Sequence, residues 1–158
     1  MAISRLTLCI RLKNNAVSQY RNYNFNSGCV LNGIPIAANE DGIYQLDNRD
    51  NDHGTEIDAF FEVTTTNFGV DNAKRMRKAF IGYEASGNMV LKVKADDEKE
   101  QSYFLKPVKK GQLQHKTIVP LGREIKGDFF TYRFENQNGC DFSIDSFNAT
   151  AVFLNMGR

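Results

Sequence analysis

At 158 residues with a formal net charge of +1, the chain is long enough to bury its own core and too evenly charged to be drawn as a whole to nucleic acid or a membrane surface. Its three cysteines, Cys9, Cys29 and Cys140, are odd in number, widely spaced and without a CxxC pair, which points to free thiols and away from a disulfide framework or a zinc site. Arg5, Arg11 and Lys13 interrupt the apolar residues of the N-terminal stretch, so neither a signal peptide nor a transmembrane span is expected.

In chain order, the first elements read as a small β-meander. Residues 18–25 form a strand that leads through Asn26-Ser27-Gly28 into Cys29-Val30-Leu31. Asn32-Gly33 is the strongest two-residue hairpin signal in the chain, because both positions tolerate positive φ. Ile34-Pro35-Ile36-Ala37-Ala38 follows, with Pro35 favouring an edge or a strand start, and Glu40-Asp41-Gly42 turns the chain into Ile43-Tyr44-Gln45-Leu46. A polar, turn-rich stretch follows over 47–56, and 57–68 reads as a long strand whose Thr64, Thr65 and Thr66 suit a pleated surface. The best helical candidate is 71–78, where Asp71 or Asn72 can cap a turn, although an extended connector fits equally well.

Further strands are expected over 79–85, 89–95, 102–105, 114–120, 129–136 and 142–154, the last with a break near Ser146. Phe130-Thr131-Tyr132-Arg133-Phe134-Glu135 and Phe142-Ser143-Ile144-Asp145 alternate apolar with polar, the period of strands buried on one face. The pattern predicts an all-β fold: an antiparallel β-sandwich of jelly-roll type over 57–158, preceded by a short N-terminal strand and meander extension over 1–56. The predicted core comprises Phe61, Val63, Ile81, Tyr83, Leu91, Val93, Phe130, Tyr132, Phe134, Phe142 and Ile144, with Cys9 and Cys29 as small buried hydrophobes and Cys140 in a turn after Gly139.

No residue constellation matches a catalytic or metal motif. Asn48, Asp50 and Asp52 alternate as in a calcium loop, but the glycine and bidentate glutamate positions hold His53 and Ala59, so a solvated loop is expected. His53 and His115 lie far apart without a nucleophile beside them, and Asp96-Asp97 falls in a charged turn. No cofactor and no enzyme activity is expected. Charge is split along the chain: 39–58 holds seven acids and one base, whereas 71–126 holds thirteen bases and seven acids. That split makes Asp47, Asp50, Asp52, Lys74, Arg75, Arg77 and Lys78 the candidate interaction residues, for contacts between copies or with a partner. Lys74-Arg75-Met76-Arg77-Lys78 and Lys106-Pro107-Val108-Lys109-Lys110 are short basic clusters, but Phe80, Tyr83, Tyr103 and Phe104 read as core, so a nucleic-acid partner is not expected.

Thr65-Thr66-Asn67-Phe68-Gly69, Lys74-Arg75-Met76-Arg77, Ile81-Gly82-Tyr83, Leu91-Lys92-Val93, Gly122-Arg123, Gly127, Phe130-Thr131-Tyr132-Arg133-Phe134-Glu135-Asn136 and Asp141-Phe142-Ser143-Ile144-Asp145-Ser146 carry a resemblance to tailed-bacteriophage virion proteins. It spans about two-thirds of the chain from Ile57 onward, and the matching positions are turns and core residues. The resemblance implies a non-enzymatic structural component of the tail, neck or collar, located in the virion after synthesis in the host cytoplasm. Its partners would be other copies of the chain and other virion proteins. The alternatives are a carbohydrate-binding β-sandwich that contacts glycans of the host envelope, or a capsid decoration protein.

Overall fold

A computed structural model describes residues 6–21, 23–47, 51–52, 54–65, 67, 69, 72–96, 100–109 and 116–154. The chain divides into two compact units, Met1–Arg49 and Asp50–Arg158. Among the described residues all regular structure is strand, and every pairing between strands is antiparallel. No described helix is long and apolar enough to cross a membrane.

The first unit holds a hairpin, β1 (Leu6–Arg11) with β2 (Ala16–Arg21), and a meander of β3 (Ser27–Leu31), β4 (Ile34–Asn39) and β5 (Gly42–Gln45). Asn32 and Gly33 turn β3 into β4 with φ of 52° and 81°, as the hairpin signal requires. Pro35 sits at the start of β4, the central strand of the meander, where its carbonyl accepts from the Leu46 N–H at 2.9 Å. The β1–β2 hairpin is exposed almost throughout, Cys9 included, and Cys29 is exposed on β3; the expectation that these two thiols are buried is corrected, because Cys9 lies on a two-stranded ribbon and Cys29 on an edge strand of the three-stranded meander.

The second unit opens with a two-residue ladder, β6 (Asn51–Asp52) with β7 (Thr55–Glu56), followed by eight strands from Phe60 onward. These are β8 (Phe60–Thr64), β9 (Lys74–Ala85), β10 (Met89–Ala95), β11 (Gln101–Leu105), β12 (Lys116–Pro120), β13 (Lys126–Gly127), β14 (Phe130–Asn136) and β15 (Phe142–Phe153). One sheet runs β11-β10-β14-β8; in the other, β9 is central, with β15 along one edge and β12 and β13 sharing the opposite edge. The two inner faces meet through aromatic rings, with Phe147 of β15 edge-on to Tyr132 at 4.8 Å and to Phe134 at 5.3 Å. The all-β sandwich expected from the period-two pattern is the observed architecture.

Ile81, Leu91, Val93, Phe130, Tyr132 and Phe134 are fully buried and Tyr83 nearly so, while Val63, Phe142 and Ile144 are half-buried. Phe61 departs from the predicted core: it is 48% exposed, because β8 is the edge strand of its sheet. Cys140, expected merely in a turn, is buried, and its Sγ–H donates to the Asn88 carbonyl at 3.2 Å. The helical candidate over 71–78 is corrected as well. Residues from Lys74 belong to the twelve-residue strand β9, because pairing with β15 satisfies their backbone along the whole edge. The expected break near Ser146 is a β-bulge at Asp145, and a second irregularity lies opposite Arg77.

Candidate nucleic-acid interface

Two charged faces flank the sandwich, and they are built differently. On the outward face of the β11-β10-β14-β8 sheet, cations and acids alternate across strands. Lys92 Nζ lies 2.7 Å from Glu135 and 3.8 Å from Glu100, while Arg133 pairs with Glu135 and, at 3.8 Å, with Glu62. The Arg133 guanidinium also covers the Phe60 ring at 3.7 Å. Burial tends to raise the Glu135 carboxyl, but the hydrogen bonds and positive charges of Lys92 and Arg133 outweigh it and hold the group below its ordinary value. This face therefore neutralises itself.

The outward face of the β9 sheet does not. Inward alternation on β9 places Met76, Ala79, Ile81, Tyr83 and Ala85 in the core, which leaves Arg75, Lys78 and Phe80 facing out. Arg77 belongs to neither face strictly, since it sits at the bulge where β15 passes from Thr150 opposite Lys78 to Ala151 opposite Met76. On the other edge β12 ends at Pro120 opposite Lys78, and β13 begins at Lys126 opposite Arg75. Between them the chain crosses the gap as a loop, tied to β9 by the Leu121 N–H donating to the Arg77 carbonyl at 2.9 Å. That gap opens a groove of about 520 Å³, walled by Arg75, Met76, Arg77, Lys78 and Phe80 of β9, Leu121 and Arg123 of the loop, and Thr150 of β15. None of its four cations has a carboxylate partner among the described residues. It is a cradle for anions, with one aromatic ring at its side.

The candidate interaction residues are scattered by the fold. Arg75, Arg77 and Lys78 come together in the groove. Lys74 does not join them: it is buried with no exposed surface, on the inward side with Met76, and it is engaged by a neighbour. Asp47 is exposed in the first unit, Asp52 is exposed on the β6–β7 ladder of the second, and Asp50 lies outside the described residues, as do Asn48 and His53 of the calcium-like alternation and His115. Arg123 and Phe80 line the groove without being among the candidate interaction residues. The signal for Phe80 is its parity: counting in twos from Ile81 or Tyr83 puts it on the outer face, not in the core. Among the described residues no group of three or more His, Cys, Asp or Glu side chains is placed to hold a metal ion.

Residues 54–131 match the family model described as the tRNA methyl transferase HUP domain. The match spans 78 of the 158 residues, just under half of the chain, and every regular element described within it is a strand. No curated protein and no solved structure matches the chain. The match corrects the reading drawn from the bacteriophage resemblance. A family of tRNA methyl transferases is one of enzymes acting on RNA, which overturns the expectations of a virion structural component, of a non-enzymatic role, of a place in the virion, and of the glycan-binding and capsid alternatives.

Proposed function

We propose that this chain acts on tRNA and that its second unit holds the RNA backbone in the basic groove over β9. The observation that carries the reading is the set of four cations without carboxylate partners among the described residues, Arg75, Arg77, Lys78 and Arg123, all within the span matched by the tRNA methyl transferase model. Guanidinium groups suit the task because they grip phosphate oxygens through paired N–H donors, and a groove free of competing acids leaves those donors available. A net charge of +1 is no obstacle: recognition of a polyanion needs a local basic patch, and none of the residues that wall the groove is acidic.

The test is binding of a tRNA transcript to the full chain across a salt series, read by fluorescence anisotropy. With four groove cations engaged, the plot of log affinity against log salt should have a slope of about −3 to −4. Each of Arg75→Ala, Arg77→Ala and Arg123→Ala should make that slope shallower by about one. Absence of tRNA binding, or binding whose affinity and slope survive all three substitutions together, would overturn the proposal.

A further inference from the structure

The ring of Phe80 offers the groove something that phosphate binding does not use. Phe80 lies on the central strand of its sheet, opposite Ile118 of β12 on one side and Asn148 of β15 on the other. Ile118 is 54% exposed, so the outward face here is apolar and open to solvent at its middle, with Arg75, Lys78 and Lys116 around it. The Lys116 ammonium sits over the Phe80 ring, 4.6 Å from its centroid. The ammonium therefore lies against the flat face of the ring, and Lys116 is itself exposed, on the outward side of the sheet. A ring presented flat on the middle strand of a sheet, next to cations that have no carboxylate partner among the described residues, is the arrangement on which unstacked nucleobases lie.

We infer that the groove takes single-stranded RNA, with one nucleobase stacked on Phe80 and the flanking phosphates on the groove cations. This rests on the proposal that the groove holds RNA and adds which form of RNA it holds. Lys116 then has two states. In the free protein its ammonium covers the ring by cation–π attraction; with RNA bound, the base displaces it and the ammonium turns to a phosphate. A duplex cannot make the same contact, since its bases are stacked on each other and present only edges in the grooves. Ile118, beside Phe80, extends the apolar floor on which the base rests.

The experiment compares three labelled probes on the full chain: a single-stranded oligoribonucleotide, an RNA duplex of the same length, and inorganic polyphosphate. The single strand should bind at least tenfold more tightly than the duplex. Phe80→Ala should weaken single-strand binding about five- to hundredfold while leaving polyphosphate binding within about twofold, because one base stack is lost and no charge is touched. Phe80→Tyr, which keeps a flat ring, should restore the affinity, and circular dichroism of each variant should match the parent. If Phe80→Ala leaves single-strand affinity unchanged while Arg77→Ala still weakens it, the stacking inference is wrong and the RNA groove stands. If the duplex binds as well as the single strand, the inference also fails. If no RNA binds and only polyphosphate does, both the inference and the proposal beneath it fall.

Discussion

Truncating Phe134 offers the sharpest test of how the sandwich is held together, because a chemically identical side chain one strand away serves as its control. Phe134 is fully buried on β14, edge-on to Phe147 at 5.3 Å and stacked with Phe61 at 6.3 Å, and it lies between Leu91 and Phe61 in the register of its sheet. Replacement by alanine removes a ring with no route for solvent to fill the space, so the transfer loss and the cavity add, to about 3–5 kcal/mol. Phe61 has 48% of its surface exposed on the edge strand; Phe61→Ala loses only about half the burial and leaves an open notch in place of a sealed void, so it should cost about 1 kcal/mol. Against a typical domain stability of about 5–15 kcal/mol, the first change consumes a large share and the second does not. Urea unfolding of the full chain, followed by far-ultraviolet circular dichroism with the denaturant slope checked for constancy, measures both. A cost below about 1 kcal/mol for Phe134→Ala, or equal costs at the two positions, would refute the assignment of the inner face.

Two further outcomes follow from side chains that act in pairs. The Glu135 carboxyl is held below its ordinary value of 4.5, so its ion pairs with Lys92 and Arg133 contribute stability that is present above that value and is lost as pH falls through the lowered one. Glu135→Gln should therefore unfold at a lower urea midpoint than the parent at neutral pH and converge with it as pH falls through the carboxyl's lowered value; parallel curves over the whole range would show that the carboxylate contributes nothing. A methyl group at Gly82 would collide with the side chains of Asp145 and Ser146 at the β15 bulge, so Gly82→Ala should lower stability by about 1–3 kcal/mol. Adding Asp145→Ala and Ser146→Ala should return most of that loss, whereas a triple variant no better than Gly82→Ala would place the strain in the backbone.

Much of the sandwich is legible because its strands carry their own period. Residues 130–136 alternate throughout and 89–95 over their second half, and for both the observed and expected boundaries differ by no more than a residue. Even Leu6, Leu8 and Ile10 alternate with Thr7, Cys9 and Arg11 over β1, though that strand is exposed on both sides. What local pattern cannot decide is the state of 74–78, where lysines and arginines suit a helix turn as readily as a strand. Pairing with β15, some seventy residues later in the chain, settles it. The groove is less legible still. Arg75, Arg77 and Lys78 are visible as a cluster, but their meeting with Arg123 depends on two short strands sharing one edge of β9, which no window of sequence contains. Lys74 shows the converse: a charge that looks like its neighbours is turned inward by a one-residue change of parity.

The interruption between β12 and β13 makes the hollow a property of main-chain register, whereas its positive charge comes from side chains at its rim. The two can therefore change independently. Sequences that keep the same strand lengths can exchange Arg75, Arg77 and Arg123 for neutral or acidic residues and retain the cleft, so the sign of its charge is set separately from its shape. Closing the cleft is harder: it takes extra residues in β12 that carry its ladder past Pro120 until it meets β13. Such an insertion would erase the hollow without altering a single charge.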